Sequence, residues 1–361
     1  MRTSGFYIFI FTAFAIYFFV HVYVFISLKS GLSASRSTSL YLAGSLLVLM
    51  SLYPLSRFLM GRMEILTYLG SIWLGVLGIS VTVFILKDLV SAFLPANKGL
   101  ITYIALVLAV LISVYSLINE RIIKVKVVEL PASGKAASLR GMTLVQLSDL
   151  HLGIIKNERW LNEVVEKVNA LTPDVILVTG DILDDRAIFD EKYSNVLKKL
   201  KSKYGVFACL GNHEYYAGKD RSIRFIKNSN IDLLINNAAI VANKFYIVGV
   251  DDKQGKAFNS EGPDLEKALG SVDRDKYIIL LSHNPSYYKT ASSFDVDLML
   301  SGHVHAGQVP PAEFLVPLIY KHSYGLYNNG KGLGYTTSGT GSWGPPMRFL
   351  NSSEIVKFTF R

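Results

Sequence analysis

The sequence predicts an N-terminal module of four transmembrane helices followed by an α/β domain. Residues 1–120 carry seven Lys or Arg and three Asp or Glu, whereas residues 121–361 carry thirty and twenty-five. In the later part, short apolar runs alternate with helical patterns, which is typical of layered α/β domains. We therefore expect a transmembrane module at 1–120, a linker and first strand at 121–139, and the α/β domain at 140–361.

Four uncharged apolar segments of 18 to 24 residues predict the membrane spans, at 5–28, 39–56, 65–86 and 100–119. A helix needs ~20 apolar residues to cross the hydrocarbon core. Pro54 and a shorter length make the second span the weakest. The first segment has an alternative as a cleavable signal peptide, but its apolar run exceeds the usual ~7–15 residues. We expect this helix to be retained in a multi-pass protein of the cell membrane.

The charges beside the spans predict that the α/β domain is cytoplasmic. Four spans place both ends of the module on one side of the membrane, with six basic residues there against four on the other side. Cytoplasmic loops carry the excess of Lys and Arg. The six are Arg2, Arg57, Arg62, Arg121, Lys124 and Lys126, and the four are Lys29, Arg36, Lys87 and Lys98. Loss of the first helix would reverse this orientation.

Small and polar residues inside the spans predict helix packing. Gly70, Ser71, Gly75 and Gly78 form a small-residue face on the third span, which favours close helix contact. His21 lies in the first span, where we expect an interfacial or packing role.

The later chain predicts the elements of the α/β domain. The expected strands are Ile122–Leu130, Thr143–Leu147, Asp174–Val178, Val206–Leu210, Phe245–Val250, Tyr277–Leu281, Val296–Leu300 and Glu354–Phe360, and the expected helices are Glu158–Leu171 and Lys192–Lys203. Pro131–Leu139 is expected to be a linker of small residues.

The charge and cysteine content of the chain indicate which kinds of binding partner to expect. The net charge is +9 without a long Lys/Arg run, so no dedicated nucleic-acid surface is indicated. A basic balance beside a membrane favours anionic headgroups or phosphorylated substrates. The single cysteine, Cys209, excludes a disulfide framework and is expected to be a buried core thiol.

Five short polar motifs each follow an apolar strand of the later chain. They are Asp149-Leu150-His151, Gly180-Asp181, Gly211-Asn212-His213-Glu214, Ser282-His283-Asn284 and Gly302-His303-Val304-His305. Ligand sites in open α/β sheets gather beyond the carboxyl ends of strands. Taken singly, such motifs also occur as ordinary turns and caps. Their two aspartates, Asn212 and five histidines supply two carboxylates, one amide and five imidazoles, which is about the ligand set of two divalent cations and indicates a metal-dependent hydrolase.

These motifs resemble the calcineurin-like metallophosphoesterases, whose ordered pattern is Asp-x-His, Gly-Asp, Gly-Asn-His-Asp/Glu, His and Gly-His-x-His. The resemblance covers the chain from about Leu144 to the C-terminus, and the branch with an N-terminal multi-span region is the most similar. The run Gly302–Gln308 differs from that branch mildly, at Val304 and Ala306. The resemblance implies a four-layer α/β/β/α sandwich.

The resemblance also implies the metal ligands. Asp149, His151 and His305 would hold one metal, Asn212, His283 and His303 would hold the other, and Asp181 would bridge both. Donors of this kind suit Mn, Fe or Zn. A hydroxide between two such ions attacks phosphorus in line. His213 would not be a ligand, and is expected to protonate the leaving oxygen as a general acid.

Several residues near the motifs have open roles at this stage. Glu214 has no role that the sequence assigns, and Tyr215, Tyr216, Arg221 and Arg224 are candidates for substrate contact. The apolar segment Val309–Tyr320 fits either a loop packed in the core or an apolar wall that faces the membrane or a lipid tail.

The sequence thus predicts a membrane-anchored two-metal phosphoesterase that hydrolyses a phosphate ester or pyrophosphate, with a lipid-linked substrate suggested by its location. Its expected partners are membrane lipids and the phosphoester substrate. The alternative is a non-catalytic sensor or scaffold with a phosphoesterase-like domain. A missing ligand would favour that alternative, and every motif here is complete.

Overall fold

The computed structural model describes residues 2–59, 63–185, 189–328 and 330–361. The chain divides into two compact units. The first comprises Met1–Asn119 with two short later segments, Val309–Ala312 and Gly344–Phe349. The second comprises Glu120–Gln308, Glu313–Trp343 and Leu350–Arg361. Two short segments that lie between elements of the α/β domain in the sequence therefore belong to the first unit.

Four long helices form the first unit: α1 (Arg2–Gly31), α2 (Arg36–Phe58), α3 (Glu64–Phe93) and α4 (Lys98–Glu120). All four are long and apolar enough to cross a membrane, which confirms the predicted helices. Each extends beyond the expected span, and α2 continues through Pro54. Arg62, which entered the charge comparison, lies outside the described residues.

Small and polar residues make the helix contacts of the first unit. A Cβ at Gly70 would lie 3.0 Å from the Leu52 carbonyl oxygen of α2, and a Cβ at Gly78 would lie 2.7 Å from the Pro310 carbonyl oxygen. His21 Nε2 accepts a hydrogen bond from Trp73 Nε1 at 3.0 Å. The imidazole and the glycine face thus serve helix packing.

Two six-stranded sheets form the second unit. The first sheet has the strand order β1-β12-β2-β3-β4-β5. Its strands are β1 (Lys124–Leu130), β2 (Thr143–Leu147), β3 (Val175–Thr179), β4 (Val206–Cys209), β5 (Asp232–Leu233) and β12 (Glu354–Phe360). Neighbouring strands are parallel except for β12 and β2. Consequently β2, β3 and β4 end at the same edge of the sheet.

The second sheet has the order β10-β11-β9-β8-β7-β6. Its strands are β6 (Asn237–Val241), β7 (Phe245–Gly249), β8 (Tyr277–Leu281), β9 (Leu298–Ser301), β10 (Gly325–Asn328) and β11 (Leu333–Thr336). The central strands β7, β8, β9 and β11 are parallel. The carboxyl ends of β8 and β9 therefore also share an edge.

Six helices accompany the sheets: α5 (Glu158–Ala170), α6 (Glu191–Leu197), α7 (Asn212–Asn228), α8 (Leu265–Ala268), α9 (Tyr288–Ala291) and α10 (Ala312–Ile319). One apolar cluster joins the first sheet to α5, α6 and α7, a second lies between the sheets, and a third joins the second sheet to α8 and α9. This layering confirms the α/β/β/α sandwich. Cys209 is fully buried in the middle cluster, and burial raises the pKa of its thiol well above the ordinary value.

The structure shows how three connections are built, and the first of them differs from the expectation. The helix expected at 192–203 ends at Leu197, because the Asn169 side chain bonds the backbone of Lys199 and Lys201 and turns the chain away. The linker Pro131–Leu139 is packed, with Leu139 fully buried between the sheets. The apolar segment after Gln308 is not a core loop. Its residues from Ala312 form α10, whose large apolar side chains are at least half exposed.

Candidate metal centre

Strand ends of both sheets bring the five motifs together. Asp149, Asp181 and Asn212 follow β2, β3 and β4 in the first sheet, and His283 and His303 follow β8 and β9 in the second. The edges of the sheets meet here, since Gln146 of β2 donates a hydrogen bond to the Ser301 carbonyl oxygen at the end of β9. The topology therefore assembles residues that are far apart in sequence.

One group of donors contains Asp149, His151 and His305. The two imidazole Nε2 atoms are 3.2 Å apart. Asp149 Oδ1 lies 3.4 Å from His305 Nε2 and 3.9 Å from His151 Nε2. All three side chains are buried. Their ligand atoms thus face a common point inside the protein.

A second group contains Asp181, His283 and His303. Asp181 Oδ2 is 3.0 Å from His283 Nε2, which is 3.2 Å from His303 Nδ1. The same Asp181 oxygen lies 3.8 Å from His151 Nε2 of the first group. This carboxylate is therefore shared between the two groups.

Two further contacts test whether the site fits a cation. The Asn212 Oδ1 atom is buried and has no hydrogen-bond partner among the described residues. The Nδ1 atom of His283 is 2.8 Å from the Thr179 carbonyl oxygen. Metal-ligating histidines usually use one ring nitrogen in this way and keep the other for the metal. The residues present therefore fit divalent cations.

The backbone holds these side chains in conformations that L-residues rarely adopt. Five of the predicted ligands have positive φ angles: 55° at Asp149, 46° at His151, 51° at Asp181, 73° at His303 and 50° at His305. Strain of this kind costs about 1–3 kcal/mol per residue and collects at functional sites. The surrounding hydrogen bonds, such as His303 N to Asp149 Oδ1 at 3.1 Å, hold the strained backbone in place.

Glycines permit the close approach of the motif loops. A Cβ at residue 302 would lie 2.2 Å from Asp149 Oδ2, and a Cβ at residue 211 would lie 2.2 Å from Asp181 Oδ1. Larger residues at Gly302 and Gly211 would displace the carboxylates. The glycines of these motifs therefore belong to the site even though they bring no ligand atom.

The pKa values reflect burial and close neighbours. Burial, with the nearby His213, lowers the pKa of His151 well below its ordinary value, and burial with His283 lowers the pKa of His303 to about 3. Burial alone would raise the pKa of the Asp181 carboxyl, but His283 and the other imidazoles outweigh burial and lower it well below its ordinary value. Burial opposes the charged form of His283, but Asp181 and Asp149 outweigh burial and raise its pKa well above the ordinary value. A cation bound here would replace that proton, because histidines bind metals as neutral imidazoles.

His213 lies beside the first group and pairs with a carboxylate. Its ring centroid is 4.6 Å from that of His151, and its Nδ1 is 3.5 Å from Asp184 Oδ1. Burial opposes the charged imidazole, but Asp181 and Asp184 outweigh burial and raise the pKa of His213 to about 9. Asp184 was not singled out in the sequence, although its position three residues after Asp181 was a usable signal.

Glu214 has a structural role that the sequence did not assign. Its Oε2 accepts hydrogen bonds from the backbone N–H of Asp181 at 3.0 Å and of Gly211 at 2.7 Å, and its Oε1 accepts one from Leu183 at 3.1 Å. The side chain is fully buried. Glu214 thus fixes the loops after β3 and β4 to each other.

The four candidates for substrate contact lie in different surroundings. Tyr215 is buried and donates its hydroxyl hydrogen bond to Asp251. Arg221 stacks over the Phe189 ring at 4.2 Å, and Arg224 lines the same cavity as Arg221. Only Tyr216 of these four contacts a predicted site residue, with its ring 5.3 Å from that of His213.

The fold and donor groups define a metal-binding α/β domain joined to four membrane-type helices. The calcineurin-like phosphoesterase family model matches residues 142–307. An uncharacterized metallophosphoesterase of Campylobacter jejuni is 35% identical over 266 residues, which cover 71% of this chain and 69% of that protein. The chain belongs to the calcineurin-like metallophosphoesterase family.

Two other relatives indicate how far the similarity extends. A transmembrane protein with metallophosphoesterase domain from Danio rerio is 34% identical over 273 residues, covering 72% of this chain and 62% of that protein. An uncharacterized metallophosphoesterase of Helicobacter pylori is 36% identical over 217 residues, covering 60% of this chain. The match spans 58% of the length of the Helicobacter protein.

Proposed function

We propose that this chain is a membrane-anchored phosphoester hydrolase that works with two divalent cations. Asp149, His151 and His305 bind one cation, and Asp181 is shared with the second. Asn212, His283 and His303 complete the second site. The observation that carries this proposal is the position of Asp181 Oδ2, 3.0 Å from His283 Nε2 and 3.8 Å from His151 Nε2.

The donor set supports the class of metal. Imidazoles with carboxylate and amide oxygens suit Mn, Fe or Zn better than Ca. When bound, a pair of such cations activates water and neutralises charge on the phosphoryl oxygens. The protein holds the ligand atoms in place before a cation binds. The strained backbone at Asp149, Asp181 and His303 supports this interpretation.

His213 is the proposed general acid. Its imidazole is next to the first group, and its Nδ1 lies within ion-pair distance of Asp184 Oδ1, at 3.5 Å. Such a pairing fixes the ring orientation and leaves Nε2 for the leaving oxygen of the ester. Asp184 then acts as a positioning residue that keeps the imidazole aimed at the phosphate.

The exposed apolar face of α10 supports a lipid-linked substrate. Phe314 and Leu315 are half exposed, and Leu318 and Ile319 are more than 70% exposed. The helix follows Val309–Ala312, a segment of the unit that holds the membrane-type helices. Tyr320, which comes after the helix, has its ring 6.2 Å from that of His303. A bilayer surface or acyl chain would cover the α10 face, at about 25 cal/mol per Å² of apolar area.

Two assays test this function. The purified full-length protein, loaded with Mn, Fe or Zn, should bind two ions per chain and hydrolyse an aryl phosphate. Metal binding without turnover of any phosphoester would favour the sensor or scaffold alternative. In vesicles, Leu315→Glu should slow hydrolysis of a long-chain phospholipid ester and spare the soluble aryl phosphate. Ile240→Glu, at an equally exposed position on β6, serves as the matched control.

The catalytic unit is proposed to face the cytoplasm. Because the only cysteine, Cys209, is fully buried, engineered cysteines can be labelled without background. A membrane-impermeant reagent added to intact cells should label Ser33→Cys and Asn97→Cys, and should not label Ser133→Cys. Labelling of Ser133→Cys from outside would place the enzyme on the opposite face.

A further inference from the structure

Three half-exposed aromatic side chains border the metal centre on the side of His213. Tyr216 is 46% exposed, Phe258 is 47% exposed and Trp343 is 52% exposed. The Tyr216 and Trp343 rings lie 5.3 and 5.8 Å from the His213 ring, and Phe258 lies 6.1 Å from Tyr216. We call these three residues the aromatic rim. The metal ligands themselves do not need the rim, since none of its rings belongs to a donor group.

Trp343 is exposed but its backbone is held firmly. Gln308 accepts a hydrogen bond from Trp343 N at its Oε1 and donates one from Nε2 to the Trp343 carbonyl oxygen, both at 3.1 Å. Gln308 is itself buried and lies three residues after the ligand His305. The preceding residue, Ser342, donates a hydrogen bond to the buried Glu120 at 2.9 Å. The backbone that carries the indole is thus ordered before a ligand binds, which lowers the entropy cost of binding.

We propose that the aromatic rim binds the leaving group of the substrate, and that this group is an alcohol carrying a ring. This inference rests on the proposed phosphoesterase function. If His213 protonates the leaving oxygen, the group attached to that oxygen must pass beside the His213 ring. Tyr216 and Trp343 both contact that ring, so the leaving group lies against aromatic faces. Such faces bind planar bases and aryl rings, or the C–H face of a sugar, better than open alkyl chains.

The rim and α10 contact different donor groups. The rim lies by His213, whose ring is near His151 of the first group. Tyr320, after α10, lies by His303 of the second group. A phosphate bound between the groups would therefore have its leaving ring at the rim and the remainder of the substrate on the α10 side.

The test compares two esters whose leaving alcohols have comparable acidity, phenyl phosphate and hexafluoroisopropyl phosphate. Trp343→Ala should lower kcat/KM for the phenyl ester roughly five- to tenfold, with a much smaller change for the fluoroalkyl ester. Tyr216→Ala should act in the same direction, and Trp343→Phe should restore most of the loss. Ile240→Ala is the matched control. Equal losses on both esters would overturn the proposal.

Inhibitor binding separates failure of the rim from failure of the proposed function. Phenylphosphonate should bind the metal-loaded Trp343→Ala protein roughly five- to tenfold more weakly than wild type, while inorganic phosphate binds equally. These measurements by calorimetry need no turnover. An inactive wild-type protein that shows this binding difference would contradict the hydrolase function alone, whereas unchanged phenylphosphonate affinity would overturn the rim.

The nature of the ring can be identified with natural esters. Uridine 5′-monophosphate carries a base, and glucose 1-phosphate carries a sugar ring directly on the ester oxygen. The ester whose kcat/KM falls in Trp343→Ala and not in Ile240→Ala identifies the ring that the rim binds. If neither ester is affected, the rim has no role in substrate choice and the proposal is wrong.

Discussion

The partly buried polar cluster of the helical unit and the metal centre differ in how their atoms are paired. In the helical unit, Lys87 Nζ lies 2.6 Å from Asp88 Oδ1 and donates to Ser27 Oγ at 2.6 Å. Asp88 Oδ2 accepts hydrogen bonds from Tyr23 at 2.8 Å and from Ser27 at 2.9 Å. Every donor in this cluster meets an acceptor, so the cluster is complete in itself.

The polar atoms of the metal centre are less completely paired. Two pairs of imidazole nitrogens face each other at 3.2 Å, His151 with His305 and His283 with His303. The amide oxygen of Asn212 faces no donor among the described residues. A buried polar group without a partner costs about 1–3 kcal/mol. The difference teaches that the first cluster is paired within the protein, whereas the second leaves the Asn212 oxygen and His151 Nδ1 without a partner among the described residues, as a site for the proposed cations would.

Replacing the shared carboxylate should have the largest effect. Asp181→Ala removes the carboxylate oxygen that lies near both donor groups, so both ions should be lost and activity should fall to background. Elemental analysis and an aryl phosphate assay measure this, with the exposed Asp220→Ala of α7 as the control. Two ions per chain in Asp181→Ala would contradict the shared position.

Removing the proposed acid should separate rate from metal binding. His213→Ala should keep both ions and lower kcat by about 10²–10⁴ for an ester with a poor leaving group, the usual contribution of general acid catalysis. The loss should be smaller for an aryl phosphate, whose leaving oxygen needs less protonation. His322→Ala, a histidine stacked on Tyr327, is the control. Equal losses on good and poor leaving groups would exclude the acid role.

Glu214 should affect the centre through the loops. In Glu214→Gln, an NH2 group replaces one of the two carboxylate oxygens that accept hydrogen bonds from backbone N–H groups. Because this group cannot accept those bonds, we expect the loops of Asp181 and Gly211 to separate. We expect metal affinity to fall about 10- to 100-fold, as for other residues that orient ligands. Competition with a metal indicator measures the affinity, and the exposed Glu163→Gln is the control. Unchanged affinity would show that the loops hold without this clamp.

The structure brings together the carboxylates and imidazoles that the sequence proposed as ligands, whereas the residues that support them were not predicted. The ligands stand beside strongly apolar strands such as β2 and β8, whose bounds agree with the prediction. Such strands are set by local apolar patterns. The Glu214 side chain bonds Asp181, which is 33 residues away in sequence, and the Gln308 side chain bonds Trp343, which is 35 residues away. No local pattern encodes these contacts.

The long connections were also harder to predict than the strands. The helix α7 begins at Asn212 itself, within a motif that by itself also fits a turn. The helix α10 was missed because Pro317 lies inside it and because a segment whose only charged residue is Glu313 has no helical polar face. A helix whose apolar residues are exposed instead of buried in the core lacks the regular alternation of apolar and polar residues by which helices are predicted from sequence.

The complete cluster of the helical unit should be sensitive to loss of one member. Lys87→Ala leaves Asp88 without its ion pair and should lower stability by about 1–3 kcal/mol, less than for a fully buried pair because the Asp88 side chain is 39% exposed. Thermal unfolding in detergent micelles measures this. Lys98→Ala, which removes an exposed bond to Ser30, should have little effect. A similar loss in both variants would mean that the Lys87 cluster adds no specific stability.

In the metal centre, by contrast, loss of one polar side chain should raise the stability of the protein once the cations are removed. Asn212→Leu replaces a buried amide that lacks a donor for Oδ1 by an apolar side chain of similar volume. In protein stripped of metal by a chelator, the variant should therefore be more stable than wild type by about 1 kcal/mol. With metal added, wild type should become the more stable of the two, because ligand binding stabilises the folded state. Scanning calorimetry with and without chelator measures both, and Asn195→Leu, an exposed position on α6, is the control. If Asn212→Leu destabilises the stripped protein as much as the loaded one, the amide serves the fold, and the contrast between the two polar clusters fails at this residue.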